Sequence, residues 1–127
     1  MARILIAEDE PDIRELIALT LQFNGHDVLC ARDGQEAVEI AGRQPCDLIL
    51  LDVRMPRMTG YEACRTLRLQ EPTRATPIFF LSAKGQENEV EAGLAAGADD
   101  YILKPFAPDA LAQRVAKALE RETNGLE

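Results

Sequence analysis

Short apolar runs alternate with longer amphipathic stretches along the whole chain. The runs are Arg3–Ala7, Val28–Ala31, Leu48–Leu51, Ile78–Leu81 and Tyr101–Leu103, each of strand length. They are continuously apolar and do not alternate, the pattern of parallel strands covered on both faces. Between the first two, Ile13, Leu16, Ile17, Thr20 and Leu21 follow a 3.6-residue period that Asn24-Gly25 brings to a stop. Leu111, Val115, Ala118 and Leu119 repeat that period behind Pro108, a residue suited to a helix start. Gln35–Arg43, Gly60–Leu69 and Gln86–Ala95 fill the remaining helical slots. Five strand–helix units in succession predict an α/β fold, a doubly wound five-stranded parallel sheet with helices on both faces.

Length and charge narrow the picture. The 127 residues suffice for one such domain, whereas a closed eight-stranded barrel needs roughly twice that. Asp and Glu total 22 against 14 Lys and Arg, a formal charge of −8. That balance argues against direct contact with nucleic acid or an anionic membrane, where clustered Lys and Arg neutralise phosphate. The apolar runs fall far short of the ~20 residues that span a bilayer. Met1-Ala2-Arg3 leads straight into the first strand and then into Glu8, Asp9, Glu10 and Asp12, so no secretory leader is expected and a cytoplasmic location is. Cys30, Cys46 and Cys64 match no common metal or redox spacing and are expected to be reduced thiols. His26, the only histidine, sits in a turn and is expected to take no part in chemistry.

In an open parallel sheet, ligands bind at the carboxyl ends of the strands. Here the first strand is followed by Glu8, Asp9 and Glu10, the third by Asp52, the fourth by Ser82 and the fifth by Lys104-Pro105. The second is followed by Arg32-Asp33-Gly34, which reads as turn chemistry. Carboxylates, a hydroxyl and an ammonium thus converge on one edge from four strands. Asp52 ends a run of four aliphatics, and a second carboxylate nearby raises the proton affinity of both. Something positive must compensate: Lys104, or a divalent cation. Oxygen donors without His or Cys point to Mg2+, or to Mn2+ as a substitute.

At this point the sequence resembles a family. Ala7-Glu8-Asp9-Glu10, the stretch from Leu50 to Pro56, Leu81-Ser82-Ala83 and the stretch from Gly97 to Phe106 are similar to the motifs of response-regulator receiver domains. The resemblance covers about residues 3–121 and implies a flavodoxin-like three-layer sandwich with strand order 2-1-3-4-5. It assigns residues 1–122 to the receiver and leaves 123–127 as a polar tail or cloning remnant. It implies a two-component receiver in which Asp52 accepts a phosphoryl group from a sensor histidine kinase, a phosphotransfer protein or a small phosphodonor. Asp9, Asp52 and the Arg54 backbone carbonyl are implied ligands of Mg2+, with Glu8 acting through water. Lys104 and Ser82 are implied partners of the phosphoryl group, Ser82 and Tyr101 the switch pair, and Pro105 the site of a cis peptide. Such a domain is a switch for a downstream protein partner or effector, not an enzyme acting on other substrates. It catalyses only its own phosphorylation and dephosphorylation.

Two local features are individual. Arg54 and Lys84, two positions beyond Asp52 and Ser82, are expected to flank the mouth of the site and restrict attacking water. Glu87, Glu89 and Glu91 are expected to form an acidic output face on the fourth helix. That helix lacks the basic residues used by receivers that dimerise through the fourth helix, fifth strand and fifth helix, so a monomer or weak dimer is expected. Three other readings compete with this one. A dehalogenase-like phosphohydrolase needs a second aspartate where Arg54 stands, and a flavin or nucleotide module needs a phosphate loop where Glu8-Asp9-Glu10 would repel phosphate. An unphosphorylated receiver-like interaction domain is the remaining alternative.

Overall fold

All five apolar runs become strands, and their parallel pairing sets the level at which each one ends. The computed structural model describes residues 2–83 and 87–125, with side chains through Glu120. Its strands are β1 (Arg3–Ala7), β2 (Asp27–Ala31), β3 (Leu48–Asp52), β4 (Ile78–Ala83) and β5 (Asp100–Lys104). Its helices are α1 (Pro11–Phe23), α2 (Gly34–Arg43), α3 (Gly60–Leu69), α4 (Glu87–Ala95) and α5 (Pro108–Gly125), with a short 3-10 turn at Glu71–Thr73. The sheet order is β2-β1-β3-β4-β5 and every pairing is parallel. β4 extends two residues past the predicted run, which brings Ser82 into the sheet. α5 continues to Gly125, so helix occupies three of the five residues expected as a tail; Leu126 and Glu127 lie outside the described residues.

Alternate residues of each strand feed two separate cores. Ile4, Ile6, Leu48, Leu50, Phe79, Leu81 and Ile102 face Ile17 and Leu21 of α1 and Leu111, Val115 and Ala118 of α5. Leu5, Ala7, Ile49, Leu51, Ile78 and Phe80 face Ala37 and Ala41 of α2 and Ala63, Cys64 and Leu67 of α3. Strands so covered have no polar face, which is why their sequences are unbroken runs. On this second side the helices come close because glycine permits it. A Cβ on Gly93 of α4 would strike the Phe80 ring, and one on Gly60 would strike the Asp52 carbonyl.

Polar contacts tie the edges. Asp33 caps α2 by accepting from the Glu36 N–H at 2.8 Å, and Thr59 and Glu62 form a reciprocal capping box on α3. Arg68 on α3 donates to the carbonyls of Gly97 at 2.9 Å and Thr76 at 2.6 Å, and pairs with Asp99 at 2.9 Å. One guanidinium thus fastens the amino-terminal edge of β4 to the turn between α4 and β5. Among the described residues no helix is long and apolar enough to cross a membrane, and the three cysteines are free.

Candidate functional site at the carboxyl edge of the sheet

The chain leaves β1 for β2 on one side and later returns past β1 to β3, so the crevice between the ends of β1 and β3 is the topological switch point. Register fills it. Ala7 lies opposite Leu51, and Asp52 lies opposite Leu81, so Glu8, Asp52 and Ser82 emerge within one residue of the same level. Ala83 lies opposite Lys104, which brings the lysine in from the far side.

The Lys104 Nζ stands 3.0 Å from the Asp52 carboxylate and 3.1 Å from that of Glu8. Asp52 and Glu8 are both buried, and Asp9 is exposed at the mouth. Burial pushes the Glu8 carboxyl well above the ordinary carboxylate range, and hydrogen bonding and repulsion from Asp52 add to the effect; Lys104 offsets only part of it. Burial alone would lower the Lys104 ammonium, but the Asp52 and Glu8 carboxylates outweigh it and hold the value above the usual one. The carboxylate oxygens of Glu8, Asp9 and Asp52 lie within 4.8 Å of one another. Three hard oxygen donors with one nearby ammonium are a donor set suited to Mg2+. The residues therefore fit such an ion on their own chemistry.

Ser82 is buried and its hydroxyl donates to Glu89 at 3.1 Å. The same carboxylate accepts from the Ala83 N–H at 3.4 Å and from Arg54 Nε at 2.9 Å. Burial would raise the Glu89 carboxyl, yet the bonds from Arg54, Ser82 and Ala83 together hold it below its ordinary value, so it is ionised at neutral pH. This corrects the expected acidic output face. Glu87 and Glu91 are exposed, but Glu89 is only 6% exposed. The reason is helical geometry: Glu89 stands one turn before Gly93, whose contact with Phe80 fixes the inner face of α4. The residue types alone carry no such signal; the contact of Gly93 with Phe80 is what marks Glu89 as inward-facing.

Arg54 does stand at the mouth, in a cleft lined also by Asp9, Met55, Pro56, Tyr61 and Glu89, but its head group is engaged with Glu89. Lys84 lies outside the described residues. Tyr101 is half-buried against the α2–α3 core, and its carbonyl accepts from Arg114 at 2.8 Å. The Lys104–Pro105 peptide is cis. The Arg32-Asp33-Gly34 segment holds more than a turn, because Asp33 also pairs with Arg57 of the β3–α3 loop. Arg57 has a left-handed backbone, φ 66°, and sequence spacing gave no sign of it.

A doubly wound sheet with carboxylates and a lysine gathered at its switch point defines a class of signalling domain, and comparison with known proteins agrees. The family model of the response regulator receiver domain matches residues 4–116, and the chain belongs to that family. It is a receiver domain of two-component signal transduction. It is 43% identical over 121 residues to the response regulator MprA of Mycolicibacterium vanbaalenii, covering 95% of this chain and 52% of the relative. It is 46% identical over 123 residues to the phosphate regulon transcriptional regulatory protein PhoB of Pseudomonas aeruginosa, covering 96% and 53%. The chain thus spans about half the length of these curated relatives. Among solved structures it resembles the chemotaxis response regulator CheY4 of Vibrio cholerae, with TM-score 0.88, 36% identity and coverage of 93% and 98%. It also resembles the receiver domain of a Pseudomonas aeruginosa sensor histidine kinase whose active-site cleft coordinates a magnesium ion, with TM-score 0.88, 37% identity and coverage of 94% and 98%.

Proposed function

We propose that Asp52 is the phospho-acceptor of this receiver and that its phosphorylation sets the conformation of the β4–α4 connection and the α4–β5–α5 face. The observation that carries the reading is the placement of a buried Asp52 carboxylate 3.0 Å from Lys104, with Glu8 and Asp9 oxygens close by. An Asp52 carboxylate oxygen attacks phosphorus in line; the bond from phosphorus to the donor's imidazole nitrogen, or to the oxygen of a small acyl phosphate, breaks. The bonding pair leaves with the donor, and Asp52 becomes an acyl phosphate. Lys104 neutralises the charge on the equatorial oxygens, the main demand of phosphoryl transfer. Asp9, Asp52 and the Arg54 carbonyl would hold Mg2+, with Glu8 behind them through water. When bound, that ion supplies positive charge to donor and acceptor oxygens alike.

The reading makes the domain a switch whose only chemistry is its own phosphorylation and dephosphorylation, resident in the cytoplasm. Its upstream partner is a sensor histidine kinase or phosphotransfer protein, and its downstream partner a protein or effector domain. Incubation with Mg2+ and acetyl phosphate, followed by intact mass, tests it. The wild type gains one phosphoryl group and Asp52→Asn gains none; a wild type that takes up nothing overturns the reading.

A further inference from the structure

We propose that Glu89 is an internal anion that holds the switch in its unphosphorylated arrangement by occupying the donors a phosphoryl group on Asp52 must recruit. The inference rests on the reading of Asp52 above and goes beyond it, because it assigns a positioning role to a residue outside the phosphorylation site. One carboxylate accepts from Ser82 Oγ at 3.1 Å, the Ala83 N–H at 3.4 Å and Arg54 Nε at 2.9 Å. Two of these donors, Ser82 and Arg54, stand one and two residues beyond the level of Asp52 in adjacent segments. A hydroxyl donates one proton to one acceptor. Ser82 therefore serves Glu89 or a phosphoryl oxygen, not both.

The exchange has a mechanical consequence. Once Ser82 turns to the phosphoryl group, the buried Glu89 carboxylate loses one of its three donors and shares Arg54 with a second anion, and burying a charge short of partners is unfavourable. The carboxylate must reach water, and it carries the first turn of α4 with it. That turn is also braced by the Tyr61 hydroxyl, which donates to the Glu89 carbonyl at 3.1 Å, with the Tyr61 ring against Phe80. Phosphorylation is thus coupled to α4 through competition between two anions for shared donors.

The test compares wild type and Glu89→Gln, which keeps the shape of the side chain and removes its charge. Beryllofluoride with Mg2+ serves as a phosphoryl mimic, and binding is followed by backbone amide resonances. Weakening charge-assisted bonds in the resting state lowers the half-saturating beryllofluoride concentration by about five- to thirty-fold. Without beryllofluoride, the β4 and α4 resonances of Glu89→Gln lie part-way along the line from free to bound wild type; simple loosening of α4 would move them toward unfolded values instead. Unchanged affinity with unmoved resonances overturns the proposal while the Asp52 reading stands. A wild type that binds no beryllofluoride and accepts no phosphoryl group overturns both. Should Glu89→Gln fail to fold, the wild type still decides: Arg54 Nε and Ala83 N resonances that do not respond to beryllofluoride overturn the proposal, and shifts in both support it.

Discussion

Glu8 carries the clearest conflict between stability and function. Its carboxyl is fully buried, beside Asp52 and with Lys104 as the compensating cation. A carboxyl whose folded value is raised binds its proton more tightly in the native state, so ionising it between the unfolded and folded values costs stability. Glu8→Gln removes that cost. Its metal-free melting temperature is expected to rise by about 3–6 °C, and the extra stability conferred by Mg2+ to shrink, both read by thermal unfolding with and without the ion. Asp33 has the opposite sign. The Glu36 N–H is the main cause that holds its carboxyl low, burial opposes it, and Arg57 adds to the lowering. The unfolded chain therefore takes up the proton first as acid is added. The Asp33 contribution is complete above the ordinary value of 3.8 and is lost as pH falls through the lower folded value. Urea unfolding of wild type and Asp33→Asn is expected to differ by about 1 kcal/mol at pH 7, a gap that closes in strong acid.

Among the elements, α3 is placed by one missing atom. Gly60 begins it against the Asp52 carbonyl and the Phe80 ring, and its N–H donates to the Val53 carbonyl at 2.9 Å. Gly60→Ala must push the helix off the end of β3, at a cost of about 1–3 kcal/mol. Because Asp52 is the residue displaced, both the unfolding midpoint and the rate of phosphoryl uptake are expected to fall. Strands and helices were legible because their periods are strong: β1, β3 and β4 are unbroken apolar runs, and α1 and α5 repeat at 3.6 residues. The strand-end chemistry was legible for the same reason, since the end of a strand locates its next side chain. Glu89 and Arg57 were not. Acidic residues at alternate positions of α4 read as one solvated face, and only the approach of Gly93 to Phe80 shows which of them turns inward. Arg57 depends on a left-handed residue in a loop, for which arginine gives no local signal.

At the scale of the whole molecule, the charge of −8 divides unevenly. Part of it, the carboxylates of Glu8, Asp9 and Asp52, is concentrated at the switch point as a donor set that could hold a divalent cation. Mg2+ at a hundred times its dissociation constant is expected to stabilise the fold by about 2.7 kcal/mol, and Asp9→Asn to lose most of that shift in a thermal melt. The opposite edge is built differently. Arg68 ties the Gly97 carbonyl, the Thr76 carbonyl and Asp99 into one fastening, close to where α4 ends at Ala95. A helix of nine residues spans about 13 Å, secured at its carboxyl end by a bound guanidinium and at its amino end by the Glu89 carboxylate. With its far end tied, the helix is expected to tilt about Gly97 when the grip at Glu89 loosens, so that amide shifts between the free and beryllofluoride-bound protein are largest at Glu87 and smallest at Ala95.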